Sequence, residues 1–306
     1  MENQLTIALP VYKRTDFIRK ALDSAVNQTV KCRILLIDNC SPHDDFRTII
    51  ESYKNPLMKY VKTSETVPQD ENFNNCFRYA ETPWVTILHD DDMLHCQFVE
   101  MTQKLFQKYN GKVGGITAYC HVSEEEWEGI HEKVVLTDDI KKVKEPFFYF
   151  AQLSPFPGVV LNKDLALKIG GFKSELHPIA DFDFWYRYCI TANMLYVNQK
   201  MSYYRISPLQ STNRLIDAMI NNVYQYRLKL IEAGKYNNYF TKLALEQSRI
   251  NNIEFFKKTY PNIPIPVDFI NKESLLKAEK WLKNQWILKL VLWYRRRISF
   301  GRPPNH

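Results

Sequence analysis

The run Trp84-Val85-Thr86-Ile87-Leu88-His89-Asp90-Asp91-Asp92 places three consecutive carboxylates at the end of an apolar, strand-like segment. Adjacent like charges repel, so such a run is stable only when solvated or when a cation sits among the oxygens. Oxygen ligands suit a hard divalent ion, Mg2+ or Mn2+, which keeps water and substrate phosphates in its own shell. The alternative is a polar turn after a core strand. A further carboxylate, Asp38, closes the apolar run Ile34-Leu35-Leu36-Ile37. It could accept hydrogen bonds from a base or ribose, or shape a turn with Asn39 and Ser41.

These groups need a frame. Leu5 to Leu9 reads as a buried strand closed by Pro10, and Thr15 as the cap of a helix with Phe17, Ile18, Ala21, Leu22 and Ala25 on one face. With the Ile34–Ile37 strand this makes a βαβ unit, which implies parallel strands. The pattern repeats: helix from Phe46 to Tyr53, strand from Met58 to Val61, a helix through Phe73, Cys76, Phe77 and Ala80, and the strand ending at Leu88. Residues 1–120 therefore read as doubly wound α/β, a fold that binds ligands beyond the carboxyl ends of its strands. Pro10 to Arg14, Asp38 to Ser41 and Asp90 to Asp92 all fall at such ends. Residues 121–150 read as charged, irregular surface. A strand at Phe156–Leu161, a helix from Asp164 to Gly170-Gly171 and a helix at Asp181–Thr191 follow, then extended segments at Leu195–Val197 and Ser202–Ile206. After residue 214 the pattern is helical: through Ile231, again from Phe240 to Phe256, then a linker marked by Pro261, Pro264 and Pro266, and one last helix from Lys272 to Tyr294.

Of 306 residues, 45% are hydrophobic and 14% aromatic, which excludes a disordered chain. The six cysteines are scattered without metal-ligand spacing, as expected of small buried hydrophobes in a reducing cytosol. Neither a secretory leader nor a membrane-spanning run is visible, so the expected location is the cytoplasm or the inner face of the cell membrane. The net charge of +7 concentrates at the C-terminus, with Arg295-Arg296-Arg297 and Arg302. No nucleic-acid partner is expected. In residues 272–302, Trp281, Trp286 and Trp293 interleave with Lys277, Lys280, Lys283 and Lys289. That suits a helix lying on anionic lipid, or one docked on the catalytic domain or on a second copy in a homodimer.

The sequence lacks both G-x-G-x-x-G and a Walker loop, so a Gly-rich turn is not what would neutralise a pyrophosphate; a cation among Asp90–Asp92 could. Pro10-Val11-Tyr12, Ser24 with Gln28-Thr29, Ile37-Asp38-Asn39-Cys40-Ser41, Leu88-His89-Asp90-Asp91-Asp92, Gly170-Gly171-Phe172 and Asp181-Phe182-Asp183-Phe184-Trp185 occur in that order. Residues 4–212 thereby resemble family-2 glycosyltransferases of the GT-A fold. The resemblance implies a Rossmann-like doubly wound mixed sheet with a helical C-terminal extension. It divides the chain into a catalytic domain at 1–212, its nucleotide-sugar half at 1–120 and acceptor half at 121–212, and an extension at 213–306. It also implies that Pro10, Val11, Tyr12 and Arg14 flank the nucleotide, that Asp38 contacts the base, and that Asp90 contacts the ribose or sugar. Asn74 matches an asparagine upstream of the aspartate motif. Asp91 would be the principal metal ligand with Asp92 beside it; His89 would be a further ligand or stand behind them. Asp181 matches the general base, with Asp183 the rival; a helix N-cap is compatible with that role. Ala180 stands where many relatives carry Glu. Arg205 would add positive charge over the diphosphate, or is a surface arginine. The donor would be a UDP-sugar, the acceptor a saccharide or polyprenyl-linked glycan in surface polysaccharide synthesis, and the outcome inversion at the anomeric carbon.

Transfer of a sugar from a nucleotide diphosphate requires a stabiliser for the leaving group and a base for the acceptor hydroxyl. A cation held by the acidic run supplies the first and a downstream carboxylate the second. Two other classes use parts of the same equipment: a metal-dependent nucleotidyltransferase or phosphohydrolase, and a non-catalytic carbohydrate-binding protein.

Overall fold

The computed structural model describes residues 4–109, 111–151, 153, 155–207, 212–259 and 271–303. The first half alternates as expected: β1 (Leu5–Val11), α1 (Ile18–Val26), β2 (Arg33–Asp38), α2 (Asp45–Ser52), β3 (Met58–Lys62), α3 (Gln69–Tyr79) and β4 (Trp84–Ile87). Next come β5 (Met93–Leu94), α4 (Phe98–Lys108), β6 (Gly115–Ser123), β7 (Ile140–Val143), β8 (Val159–Asn162), α5 (Lys163–Lys168), α6 (Ala180–Thr191) and β9 (Met194–Arg205). The C-terminal part is α7 (Thr212–Ala233), α8 (Tyr239–Thr259), α9 (Lys272–Leu282), α10 (Gln285–Ser299) and β10 (Phe300–Gly301).

The strands form one ten-stranded mixed sheet in the order β10-β7-β9-β6-β8-β4-β1-β2-β3, with β5 paired to β9. β1 runs parallel to β2 and β4, and β3 parallel to β2. β8 is antiparallel to both β4 and β6, and β9 is parallel to β6. The carboxyl ends of β1, β2, β4 and β9 therefore share one edge of the sheet. Two apolar cores flank it, one including α1 and α4, the other α3 and α6.

Several local expectations are corrected. Pro10 does not close the first strand; it lies inside β1, in register with Ile37. Its missing N–H points toward β4, whose pairing with β1 stops at Ala8 and Ile87, so no ladder bond is lost. Thr15 does not cap α1, whose N-cap position is Phe17 without a side-chain cap. Residues 121–150 are not irregular throughout: β6 extends to Ser123, and β7 pairs antiparallel with β9. The two extended segments near 195 and 202 are one continuous strand, β9. The last helix breaks in two because the Asn284 side chain accepts the Trp286 N–H and starts α10 afresh. The three linker prolines lie outside the described residues. The C-terminal helices share a core with Tyr149 and Phe150, and β10 pairs with β7, so this segment is anchored to the sheet at its far edge.

Candidate active site

The acidic run sits where β4 ends. β4 stops at Ile87, the Asp92 N–H closes a turn on the His89 carbonyl (3.3 Å), and β5 then pairs Met93 with Tyr203 of β9. That return brings Asp92 against the last residue of β9. The Arg205 N–H donates to Asp92 Oδ1 (3.0 Å), and the Arg205 Nε donates to the Asp91 carbonyl (3.1 Å). Arg205 is not a surface arginine: it is buried, with its guanidinium 4.5 Å from the Phe17 ring centre. Its Nη2 also reaches Glu126 (3.4 Å), which in turn pairs with Lys20. Glu126 escaped the sequence reading because it belongs to a run of three glutamates that resembles ordinary solvated surface.

Arg14 arrives from the carboxyl end of β1. Its Nη2 bonds Asp90 Oδ1 (2.6 Å) and Asp91 Oδ2 (2.8 Å), and its Nε bonds Asp90 Oδ2 (3.2 Å). The turn that carries it places Lys13 at φ +60° and ties the Lys13 N–H to Ser41 Oγ (2.9 Å). Tyr12 stands exposed at this edge, while Pro10 and Val11 are buried.

Arg14 and the Arg205 guanidinium, the latter shared with Glu126, do not fully neutralise three carboxylates. Asp92 is fully buried, and burial together with the Asp91 charge pushes it well above the usual carboxylate range. Its Oδ2 has no hydrogen-bond partner, and neither has His89 Nε2. Burial lowers His89 to about 4, so the ring is neutral at pH 7 and keeps a lone pair to offer. Burial also raises Asp90, against the pull of Arg14. One ligand atom from each of His89, Asp91 and Asp92 lies within 4.8 Å of the others, spacing that fits a single cation. A buried, unpaired carboxylate oxygen and a half-buried neutral imidazole form the donor set such an ion requires. The structure thus brings Asp91 and Asp92 together with His89 as a third candidate ligand.

Asp38 is buried with both oxygens engaged. Oδ1 accepts the Ser41 N–H (2.9 Å) and Oδ2 the Tyr60 hydroxyl (2.8 Å). Here it shapes the turn after β2. Asn39 extends that turn with a reciprocal pair to Val67, Nδ2 to the carbonyl (2.8 Å) and N–H to Oδ1 (2.9 Å). Gln28 serves as a clamp between α1 and the start of α4, donating to the Ser24 and His95 carbonyls and accepting from the Val99 N–H.

Asn74 of α3 faces the Gly-Gly-Phe loop. It accepts the Phe172 N–H (2.7 Å) and donates to the Phe172 carbonyl (2.9 Å) and to Glu71 (2.8 Å). Gly171 sits at φ +61°, where an added Cβ would lie 2.3 Å from Asn74 Oδ1. This pairing spans 98 residues. Its result is an aromatic block in which Phe73 stacks on His89 (5.4 Å), Phe156 meets His89 at a tilt (4.6 Å), and Phe156 also meets Phe172 and Trp185 (5.6 and 5.3 Å). That block joins the acidic run to α6.

At the start of α6, Asp181 and Asp183 differ sharply. Asp183 is buried and fully engaged: Arg187 Nε donates to Oδ2 and the Tyr226 hydroxyl to Oδ1, both at 2.7 Å. Arg187 also donates to the Ile169 and Gly171 carbonyls, which fastens the Gly-Gly turn to α6. Asp181 is partly exposed, and among the described residues its carboxylate accepts the Phe182 N–H (2.7 Å). It is not the N-cap, a position held by Ile179. Burial of its carboxyl, aided by the Asp70 charge, pushes Asp181 up to about 6. Asp70, in the first turn of α3, lies 3.3 Å from His177 Nδ1. Cavities of about 450 and 420 Å³ lie away from this site, one beside α4 and one between α8 and α9.

The model of glycosyl transferase family 2 matches residues 6–161, half of the chain, and that span carries the acidic run and both β1 and β2 edges. The chain belongs to glycosyltransferase family 2. An uncharacterised glycosyltransferase of Rickettsia typhi is 22% identical over 95% of this chain and 96% of its own length. An uncharacterised glycosyltransferase of Haemophilus influenzae is 25% identical over 59% of this chain and 60% of its own. Among solved structures, S. aureus TarS 1-349 in complex with UDP-GlcNAc superposes with a TM-score of 0.62 at 13% identity, covering 98% of this chain and 84% of that one. A mannosyltransferase from Pyrobaculum calidifontis, in complex with GDP-Man and Mn2+, gives 0.58 at 13% identity, over 96% and 87%. These likenesses show the GT-A fold. The glycosyltransferase assignment decides against the nucleotidyltransferase, phosphohydrolase and non-catalytic readings.

Proposed function

We propose that this glycosyltransferase moves a sugar from a UDP-sugar to a hydroxyl of a saccharide or lipid-linked glycan, with inversion, in cell-surface polysaccharide synthesis. A divalent cation, Mn2+ or Mg2+, would be held by Asp91, Asp92 and His89. The observation that carries this is the buried Asp92 Oδ2, which accepts no hydrogen bond and lies 3.7 Å from the Nδ1 of a neutral His89. When bound, such an ion neutralises charge that grows on a leaving diphosphate. The P. calidifontis neighbour, bound to GDP-Man and Mn2+, supports a nucleotide-sugar donor and a metal, and TarS bound to UDP-GlcNAc supports a UDP-sugar.

The chain's own groups divide the remaining work. Arg205 fixes Asp92 through its backbone N–H, and Arg14 holds Asp90 and Asp91 in a fork. Tyr12, exposed at the β1 edge, would border the nucleotide, with Pro10 and Val11 forming the strand end beneath it. Asp38 and Asn74 act through the loops they hold, at Ser41 and Phe172. Asp181 takes the proton of the acceptor hydroxyl as its oxygen bonds the anomeric carbon and the bond to the diphosphate breaks. Its raised proton affinity suits a base that works near neutrality.

The test is product analysis. Incubation with a UDP-sugar, Mn2+ and acceptor should yield UDP and a glycoside of inverted configuration, and Asp181→Asn should stop turnover while donor binding persists. Release of UMP with sugar phosphate, or undiminished turnover in Asp181→Asn, would refute the reading.

A further inference from the structure

Sugar transfer leaves one surface unused. α10 has two apolar faces. Ile287, Leu288, Val291 and Ile298 turn inward to the core built around Tyr149 and Phe150. On the opposite side Trp286, Leu290, Trp293 and Arg297 follow at spacings of four, three and four, one line along a helix. All four are exposed, Trp286 by 80%. Lys289 and Arg296 flank the line, and the Arg297 guanidinium lies 5.1 Å from the Trp293 ring centre. Ring contacts continue the patch onto α8 and α9: exposed Tyr239 meets exposed Phe240 at 6.2 Å and exposed Trp281 at 6.4 Å, and Phe240 meets Tyr294 of α10 at 6.2 Å.

Charge is distributed accordingly. Residues 272–302 carry nine Lys and Arg against two Glu, so they hold the whole formal net charge of +7 and the remainder of the chain is neutral. We propose that this face seats on an anionic lipid surface, with its tryptophans in the headgroup layer and its cations against acidic headgroups. Tryptophan prefers that layer because one end of the indole is apolar and the other bonds water. A buried protein interface would deplete lysine around the aromatic centre, whereas here lysines and arginines border it. Among the described residues no helix is long and apolar enough to cross a membrane, so the contact is one of lying on the surface. The proposal stands apart from the sugar-transfer reading, since none of these residues lies at the strand ends.

The full chain is centrifuged with vesicles of phosphatidylcholine alone and of phosphatidylcholine mixed with phosphatidylglycerol, while tryptophan emission is recorded. It should pellet with the acidic vesicles only, release in high salt, and shift its emission to the blue. Lys289→Gln with Arg296→Gln should weaken binding roughly 25-fold, about fivefold for each charge. Trp286→Ser with Trp293→Ser should remove the blue shift and weaken binding too. Both variants sit on exposed positions, and an unchanged melting temperature confirms their fold. Equal binding to neutral and acidic vesicles, or variants that bind like the parent, would overturn the proposal. So would a dimer in light scattering that Trp286→Ser with Trp293→Ser converts to monomer without any vesicle binding, because a second copy would then cover the face.

Discussion

Gly171→Ala is expected to cost far more than the same change one residue earlier, and the difference measures how Asn74 holds the Gly-Gly-Phe loop. Both glycines adopt positive φ, +90° at Gly170 and +61° at Gly171. An alanine at either position carries a backbone penalty of roughly 1–2 kcal/mol. Gly170 opens on free space, so that penalty is the whole cost. At Gly171 the new Cβ would sit 2.3 Å from Asn74 Oδ1, and the side chain must move. Its two bonds to Phe172, at 2.7 and 2.9 Å, are then lost in a buried site. Leaving those groups unpaired adds about 2 kcal/mol, for a total of roughly 3–4 kcal/mol. The assay is equilibrium urea unfolding of a double-mutant cycle. With Asn74→Ala already in place, Gly171→Ala should cost only its backbone penalty, giving a coupling of about 2 kcal/mol. A cycle additive to within about 0.5 kcal/mol would refute the reasoning.

Arg14→Gln should lower stability by about 1–2 kcal/mol without metal, because Asp90 and Asp91 lose a partly buried counter-ion, and Mn2+ should restore part of that loss; melting curves with and without Mn2+ read this. Asp181→Asn should reduce kcat by on the order of a hundredfold or more, whereas Asp183→Asn should chiefly lower the melting temperature, since its bonds to Arg187 and Tyr226 are structural. Turnover should rise with pH through about 6 and then level off, because Asp181 works deprotonated and burial raises its affinity for the proton; a profile flat from pH 5 to 8 would exclude it as the base.

The parallel half of the fold was legible because β1, β2 and β4 are short apolar runs bounded by polar ends, and the helices between them keep an apolar face at period 3.6. The strand-end carboxylates followed from that frame. Short strands of mixed polarity were not legible: β7 reads Ile-Lys-Lys-Val and owes its existence to pairing with β9 and β10. The break between α9 and α10 rests on one cap, Asn284, within a run of good helix formers. Asp38 and Asn74 stand out in the sequence, yet their partners, Tyr60 and Phe172, lie 22 and 98 residues away and only the fold identifies them. His89 looked secondary in the sequence because a histidine before an acidic run carries no register of its own. Burial beside Asp92 is what makes it a candidate ligand.

The most direct measurement is electron paramagnetic resonance of Mn2+ titrated with UDP in the presence of the full chain, the Asp92→Asn variant and the Asp91→Asn variant. Free hexaaqua Mn2+ gives a sharp six-line signal that collapses when the ion is held asymmetrically. The parent chain with UDP should collapse it at stoichiometric ion, and both variants should leave it sharp while their melting curves show a folded protein. Equal collapse in all three, or none in the parent with UDP, would contradict a cation held between the end of β4 and the donor's phosphates.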